Sequence, residues 1–463
     1  MRNAKLMTGV ALAALIVGAP AAFAQDNVTV GEINQNVSND QFVSQPSEGE
    51  VDVNNLNGTS TSASSSVTGA SAAVAGSFVN NVTNLTFDGD ITQRSSNTRV
   101  DPDNFGEGKV GSEPANGVVL NEADASVGNL NGTASSASVS ATSSINAVSV
   151  SFVNGGGSVA GDADITQRAS ADSFNASGTK NNASINGADI DITGVAASVS
   201  DSALGAGSVV TVTGIGKNTS TSLGNVVFGD IDQRSTVDNQ RVTNKSNSMD
   251  LGTVSGTAAS ASVSSTGAQN AISVTRIGGT KNTSTVTDID NVKQVASQEG
   301  RDTKVQIGTI TGDNVSGTGA SVSASATGAI NVLSVTGVNA GNDTTISLAT
   351  DGDDSITQNA SNGVNRNTPT ETFNETSINV GNVSGKGASA STSATGAASV
   401  VSVSKINGGA TTATTGNISQ TASSSGVVTN TSSVTAGNLT ATGTSASISA
   451  TGASAAVSVS TIQ

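Results

Sequence analysis

Catalysis by side chains needs a nucleophile activated by a base, paired carboxylates in a cleft, or a bound metal. This chain contains no histidine and no cysteine, so the ordinary Ser-His-Asp triad, the reactive thiolate and the usual zinc site have no residues to build them. Carboxylates remain, densest at Asp351, Asp353 and Asp354 and again at Asp101 and Asp103. Neither group has the spacing of an EF-hand loop or the glycine-rich nonapeptide of calcium-binding β-rolls, so both read as solvated turns and no cofactor is expected. The polar residue that recurs in a fixed setting is glutamine. Its amide carries two N–H donors and an acceptor oxygen, equipment for hydrogen bonding and not for bond making. The chain therefore reads as structural and not as an enzyme.

The glutamine stands two residues after a β-branched residue: Ile33 and Gln35, Ile91 and Gln93, Ile165 and Gln167, Ile231 and Gln233, Val292 and Gln294, Ile356 and Gln358, Ile418 and Gln420. Successive glutamines are 58, 74, 66, 61, 64 and 62 residues apart. Near-constant spacing over seven copies marks an internal repeat, and residues 25–463 divide into seven units of about 62 residues. On a strand, side chains alternate between faces, so each glutamine shares the buried face of its β-branched partner. An amide buried without partners costs about 1–3 kcal/mol; a ladder of stacked amides or of backbone groups would satisfy it. On the opposite face Arg94, Arg168 and Arg234 follow Asp90, Asp164 and Asp230 at four residues, a spacing read as solvated charge contributing about 0–1 kcal/mol per pair.

Between successive glutamine motifs Ala320, Val322, Ala324 and Ala326 alternate with Ser321, Ser323, Ser325 and Thr327. Period two is the pattern of a half-buried strand. Gly328 interrupts it and Ile330, Val332 and Val335 follow as a second β-branched run. The same Thr-Gly break recurs at Thr68-Gly69, Thr266-Gly267, Thr395-Gly396 and Thr451-Gly452, where the glycine is expected to supply positive φ at a corner. A third element, Gly128-Asn129-Leu130-Asn131-Gly132 and its relatives Gly381–Gly385 and Gly437–Thr440, reads as a short strand bounded by turns. Each unit thus holds at least four short strands, with variable insertions such as Thr98–Asn116 and Asn239–Met249 on the surface.

Composition limits how such a chain is held together. It has nine Phe and no Trp or Tyr, too few bulky side chains for the core of a compact globule of this length, and without cysteine there is no covalent staple. Stacked repeats resolve this, since neighbours bury what one layer cannot. The fold class expected is all-β: a β-solenoid of stacked rungs, or amyloid-like stacked strands. If each unit winds two or three rungs about 4.8 Å apart, the rod is about 70–100 Å long. A net charge of −16 argues against nucleic acid as a partner, which demands clustered Lys and Arg.

Arg2 and Lys5 precede an apolar run from Val10 to Val17, and Ala22-Phe23-Ala24 follows. This is the pattern of a secretory signal peptide over residues 1–24, with Gln25 as mature N-terminus. The run is too short for a membrane span, and no later stretch approaches the roughly 20 apolar residues a spanning helix needs. Location outside the cytoplasm follows.

The stretch Ile356–Asn362, Ile-Thr-Gln-Asn-Ala-Ser-Asn, and its relative Ile91–Asn97 resemble the I-x-Q-x-G-x-x-N core of curli-type repeats, with Ala or Ser in place of the family's glycine and the asparagine one position earlier. The resemblance spans about ten residues of each unit. It implies a functional-amyloid fibre subunit, exported by the Sec route, passed across an outer membrane by a dedicated pore, and self-associating into matrix fibres. The residues also admit a non-polymerising adhesin or surface-layer rod whose variable insertions carry binding.

Overall fold

The computed structural model describes residues 10–16, 26–41, 47–59, 62–79, 83–100, 119–153, 157–174, 179–186, 191–216, 223–238, 240–244, 250–277, 285–299, 305–338, 344–350, 354–363, 372–406, 411–425, 428–436, 438–440 and 445–462. They form a β-solenoid. Its first coil runs through Asp26–Val30, Ile33–Gln41, Ser47–Thr59 and Ser62–Val79, and later coils repeat that order. Each strand pairs in parallel with its counterparts in the neighbouring coils, which makes four parallel sheets: a short sheet, a glutamine sheet, a flank sheet and a long sheet, in chain order. Among the described residues no helix is long and apolar enough to cross a membrane.

Adjacent glutamine strands are direct neighbours, Ile33 opposite Ile91, Ile91 opposite Ile165 and Ile165 opposite Ile231. One repeat therefore winds a single coil, and not the two or three rungs expected from its length. The reason is the long sheet, whose strands have 18 residues each, about 60 Å when extended at about 3.3 Å per residue. Seven coils at about 4.8 Å stack to about 34 Å, a shorter and broader body than the expected rod.

That strand length comes from continuing through the Thr-Gly break. In Ser321–Val338 half-buried and buried residues alternate up to Thr327, Gly328 and Ala329 are both buried, and alternation then resumes in the opposite phase. The extra residue reverses which parity faces inward, so Val322, Ala324 and Ala326 are buried before it and Leu333 and Val335 after it. Ile330 and Val332 point outward as a result. Gly328 does not have the positive φ expected of it. Glycine is required there by close approach, because a Cβ on Gly328 would lie 2.4 Å from the carbonyl oxygen of Gly396 and 2.5 Å from Asn362 Nδ2.

Left-handed backbone falls instead at the corner leading into the long strand. Gly132, Gly194, Gly256 and Gly317 have φ of 131°, 125°, 121° and 115°. Two residues on, Ala134, Ala196 and Ala258 have φ of 54–56°, whereas the next two coils place Gly319 and Gly387 there. The left-handed region costs an L-residue roughly 1–2 kcal/mol, partly offset by the greater freedom glycine has when unfolded. Ala258→Gly is therefore expected to raise stability by about 0.5–1 kcal/mol, measured as a higher urea midpoint with an unchanged slope.

The interior has two apolar clusters. One joins the first half of the long sheet to the flank sheet through residues such as Val139, Val199, Val263, Leu130 and Ile192. The other joins the second half to the short and glutamine sheets through Phe152, Val212, Phe228, Ile165 and Ile231. Phe78 and Phe152, neighbours in the long sheet, stack with centroids 5.1 Å apart. Further along the same column the register brings Gly214, then Arg276, then Gly337. The two glycines leave room for the Arg276 side chain, whose Nη2 donates to Thr287 Oγ1 at 2.7 Å, and burial pushes its pKa down to about 10. Val10–Ile16, within the leader assigned from the sequence, pairs in parallel with the first long strand, Val10 opposite Ser71 and Ile16 opposite Ser77.

Candidate functional site: a buried amide ladder

Between the two apolar clusters runs a polar seam. Its main column is the glutamine of each coil. Gln93, Gln167, Gln233 and Gln294 are 0% exposed and Gln358 is 1% exposed, and the register places all seven glutamines opposite one another. Each Nε2 from Gln93 onward donates to Oε1 of the preceding glutamine, at 2.7–2.8 Å. The same nitrogen reaches main-chain oxygens of the facing long sheet, as Gln233 Nε2 does to Ser208 and Ala271, both at 3.2 Å. These bonds are possible because β-branched residues set the depth of the strand: Ile91, Ile165, Ile231, Val292 and Ile356 are at most 1% exposed, while Ile33 and Ile418 in the terminal coils pack partly buried against the same cluster.

A second polar column, which the sequence reading missed, comes from the long sheet. Asn146, Ser208, Asn270, Asn331 and Ser399 are all fully buried, each three residues after the break in its strand. Asn270 Nδ2 donates to Asn331 Oδ1 at 2.9 Å, and Ser235 Oγ donates to Asn270 Oδ1 at 2.8 Å. The only sequence cue is that constant offset, and it has meaning only once the break is known to be a change of phase.

The coil corners carry ladders of their own. At the entry to the glutamine sheet, the backbone N–H of Asp230 donates to Asp164 Oδ1 at 2.8 Å and that of Asn291 to Asp230 Oδ1 at 3.2 Å. The flank sheet repeats the device, Asp191 N to Asn129 Oδ1 at 3.0 Å and Thr253 N to Asp191 Oδ1 at 2.7 Å. Asp or Asn is needed because only their short side chains reach the next coil's amide. Arg168 consequently does not pair with Asp164 four residues back. It bridges to Asp232 of the next coil, Nη2 to Oδ2 at 2.5 Å, since in-register coils bring that carboxylate closer than the strand's own. Of the acidic clusters named from sequence, Asp354 accepts from Asn291 Nδ2 at 2.9 Å, whereas Asp351, Asp353, Asp101 and Asp103 lie outside the described residues. So do most of the Thr98–Asn116 insertion and the end of Asn239–Met249. Among the described residues no three His, Cys, Asp or Glu are grouped to hold a metal.

Stacking carboxylates has an electrostatic cost. Burial raises the Asp290 pKa, and Asp354, Asp288, Asp162 and Asp230 raise it further. The folded chain then binds more protons than the unfolded chain between the ordinary Asp value of about 3.9 and the raised one. Stability must fall as pH rises through that window. Asp290→Asn is expected to flatten this part of the profile and to raise the melting temperature at pH 7, read from thermal unfolding between pH 3 and 7; a variant with the parent's pH slope would contradict the assignment.

No protein family, curated protein or solved structure matches this chain.

Proposed function

We propose that this chain is an exported structural subunit that assembles end to end into extracellular fibres. The carrying observation is the polarity of the amide ladder. At the first coil Gln35 Oε1 accepts from Gln93 while its Nε2 reaches Ala73 O at 3.1 Å. At the last described coil Gln420 donates to Gln358, and among the described residues no glutamine of a further coil donates to its Oε1. One end thus presents a donor and the other an acceptor, and a second copy set one coil spacing away continues the column in the same sense. Among the described residues the sheets also end in parallel strands with open edges, save that Val10–Ile16 covers part of the long sheet's edge in the first coil. A contact between unlike ends does not close on itself and generates filaments.

Apolar surface supports the same reading. The first coil has an open cleft of about 440 Å3 lined by Val28, Val30, Ile33, Val74, Phe78 and Leu85 among others. In the last coil Ile448 and Val457 are 56% and 52% exposed. Cleavage after Ala24 would also free the Ser71–Ser77 edge from Val10–Ile16. The curli-type resemblance of Ile356–Asn362 points to the same class of role.

The test is the chain beginning at Gln25, purified and concentrated. Filaments with a 4.7–4.8 Å cross-β reflection are expected. Persistent monomers at high concentration would overturn the reading in favour of a non-polymerising adhesin or surface-layer rod.

A further inference from the structure

The long sheet has the longest strands among the described residues, and among the described side chains of its outer face none is charged. Register turns its sequence into columns along the rod: serine throughout from Ser62 to Ser445, from Ser64 to Ser447 and from Ser66 to Ser449. At the far end of the strands an apolar stripe runs through Val79, Val153, Ile215, Ile277 and Val338, with Val79, Ile215 and Ile277 at 52%, 39% and 40% exposure. Exposed β-branched residues repeated in one column of an otherwise hydroxyl-covered face call for an occupant.

We infer that this face packs against the same face of a second copy, pairing solenoids side by side. This rests on the fibre reading and names the partner of the fibre's flank. Charge is the first argument. In a chain of net charge −16, with Asp90, Asp164 and Asp230 stacked at the glutamine-sheet corner, identical copies repel except where a face carries no charge. Area is the second. Strands of about 60 Å and a stack of about 34 Å give a face on the order of 2,000 Å2, above the roughly 800 Å2 per partner of a stable interface. Chemistry is the third, since short Ser, Thr, Ala and Val side chains suit dry packing of two sheets about 10 Å apart. A flat polysaccharide would instead be met by exposed aromatic rings, whereas Phe78 and Phe152 of these strands are buried. A two-fold axis along the strand direction makes the apolar stripes coincide and sets the two rods antiparallel.

The experiment is mass per length of filaments from the Gln25-started chain, by scanning transmission electron microscopy. Paired rods carry two chains per about 34 Å of axial rise. Ile215→Glu with Ile277→Glu should leave filaments of unchanged cross-β spacing and halved mass per length, while Thr166→Glu with Thr357→Glu, on the outer face of the glutamine sheet, should leave the parent's value. Single rods in the parent, or paired rods in the stripe variant, would overturn the pairing, as would single rods that adsorb to cellulose through this face. If circular dichroism shows the stripe variant unfolded, Ser262→Glu with Ser323→Glu takes its place. If no filaments form, the fibre reading falls by itself. Sedimentation then decides the pairing: a parent dimer loosened at least tenfold by the stripe variant supports it, and a monomeric parent overturns it.

Discussion

Gly256→Ala is expected to destabilise the solenoid by about 3–5 kcal/mol, a large effect for one added methyl group. Two penalties combine. The backbone at Gly256 has φ of 121°, outside what an L-residue adopts at small cost. A Cβ built there would also lie 2.0 Å from the carbonyl oxygen of Gly194 and 2.9 Å from its nitrogen and carbonyl carbon. Those are main-chain atoms of the adjacent coil, held by the parallel pairing of Gly194 with Gly256, so no side chain can rotate aside. The coils would have to separate at that corner, breaking ladder bonds in the flank sheet. Gly319→Ala is the internal control. It adds a methyl group at φ of 68° with nothing within 4 Å, and the preceding coils already place Ala134, Ala196 and Ala258 at this point, so a loss of about 1 kcal/mol or less is expected. Urea unfolding of both variants checks the contrast; equal losses would mean that contact between coils is not what selects glycine at Gly256.

The same pair of columns shows why some of the fold was legible in the amino-acid sequence and some was not. The glutamine motif could be read because its meaning is local: a β-branched residue and an amide two apart share a strand face whatever the strand pairs with. The alternation of Ala320–Thr327 was legible for the same reason. What a break in alternation does depends on the neighbouring coils, and there local reasoning failed. Gly328 looked like a corner with positive φ, yet the chain runs straight through it because the backbones of Gly328 and Gly396 approach too closely for a side chain. The true left-handed glycines sit in Asn131-Gly132 and its relatives, within an element read as a turn-bounded strand. Treating the break as a corner divided the long strand in two and inflated the number of rungs per repeat.

Arg276 was invisible for a related reason. A lone arginine in Ser260–Ile277 reads as an outward charge until the phase change turns it inward, and what makes its burial tolerable is the pair Gly214 and Gly337, 62 and 61 residues away. The corner aspartates likewise had a local reading, solvated charge beside the arginine four residues on. The structure assigns them to the next coil's backbone amide instead. In a parallel solenoid the nearest neighbour of a side chain is commonly its counterpart one coil away, and sequence distance loses its usual meaning.

Gln233→Leu carries the second large effect. Its amide donates to Gln167 Oε1, Ser208 O and Ala271 O, and its Oε1 accepts from Gln294 Nε2 at 2.8 Å. Leucine is close in size and deletes all four contacts, and it leaves the 0% exposed amides of Gln167 and Gln294 each short of a partner with no water to replace it. Each buried group left unsatisfied costs about 1–3 kcal/mol, so a loss of about 2–5 kcal/mol is expected. The ladder's ends should respond differently. Gln420 is half-buried and hydrogen-bonded to only one neighbouring glutamine, so Gln420→Leu should cost about 1 kcal/mol in the isolated chain. In filament growth the ranking should invert, because Gln420 is where the next copy's Gln35 would attach. Equilibrium unfolding measured alongside growth kinetics separates the two roles. If the amide column templates addition, Gln420→Leu slows elongation far more than its small stability loss explains, whereas Gln233→Leu lowers stability and alters elongation only in proportion. Unchanged elongation with Gln420→Leu would confine the glutamine ladder to holding each solenoid together.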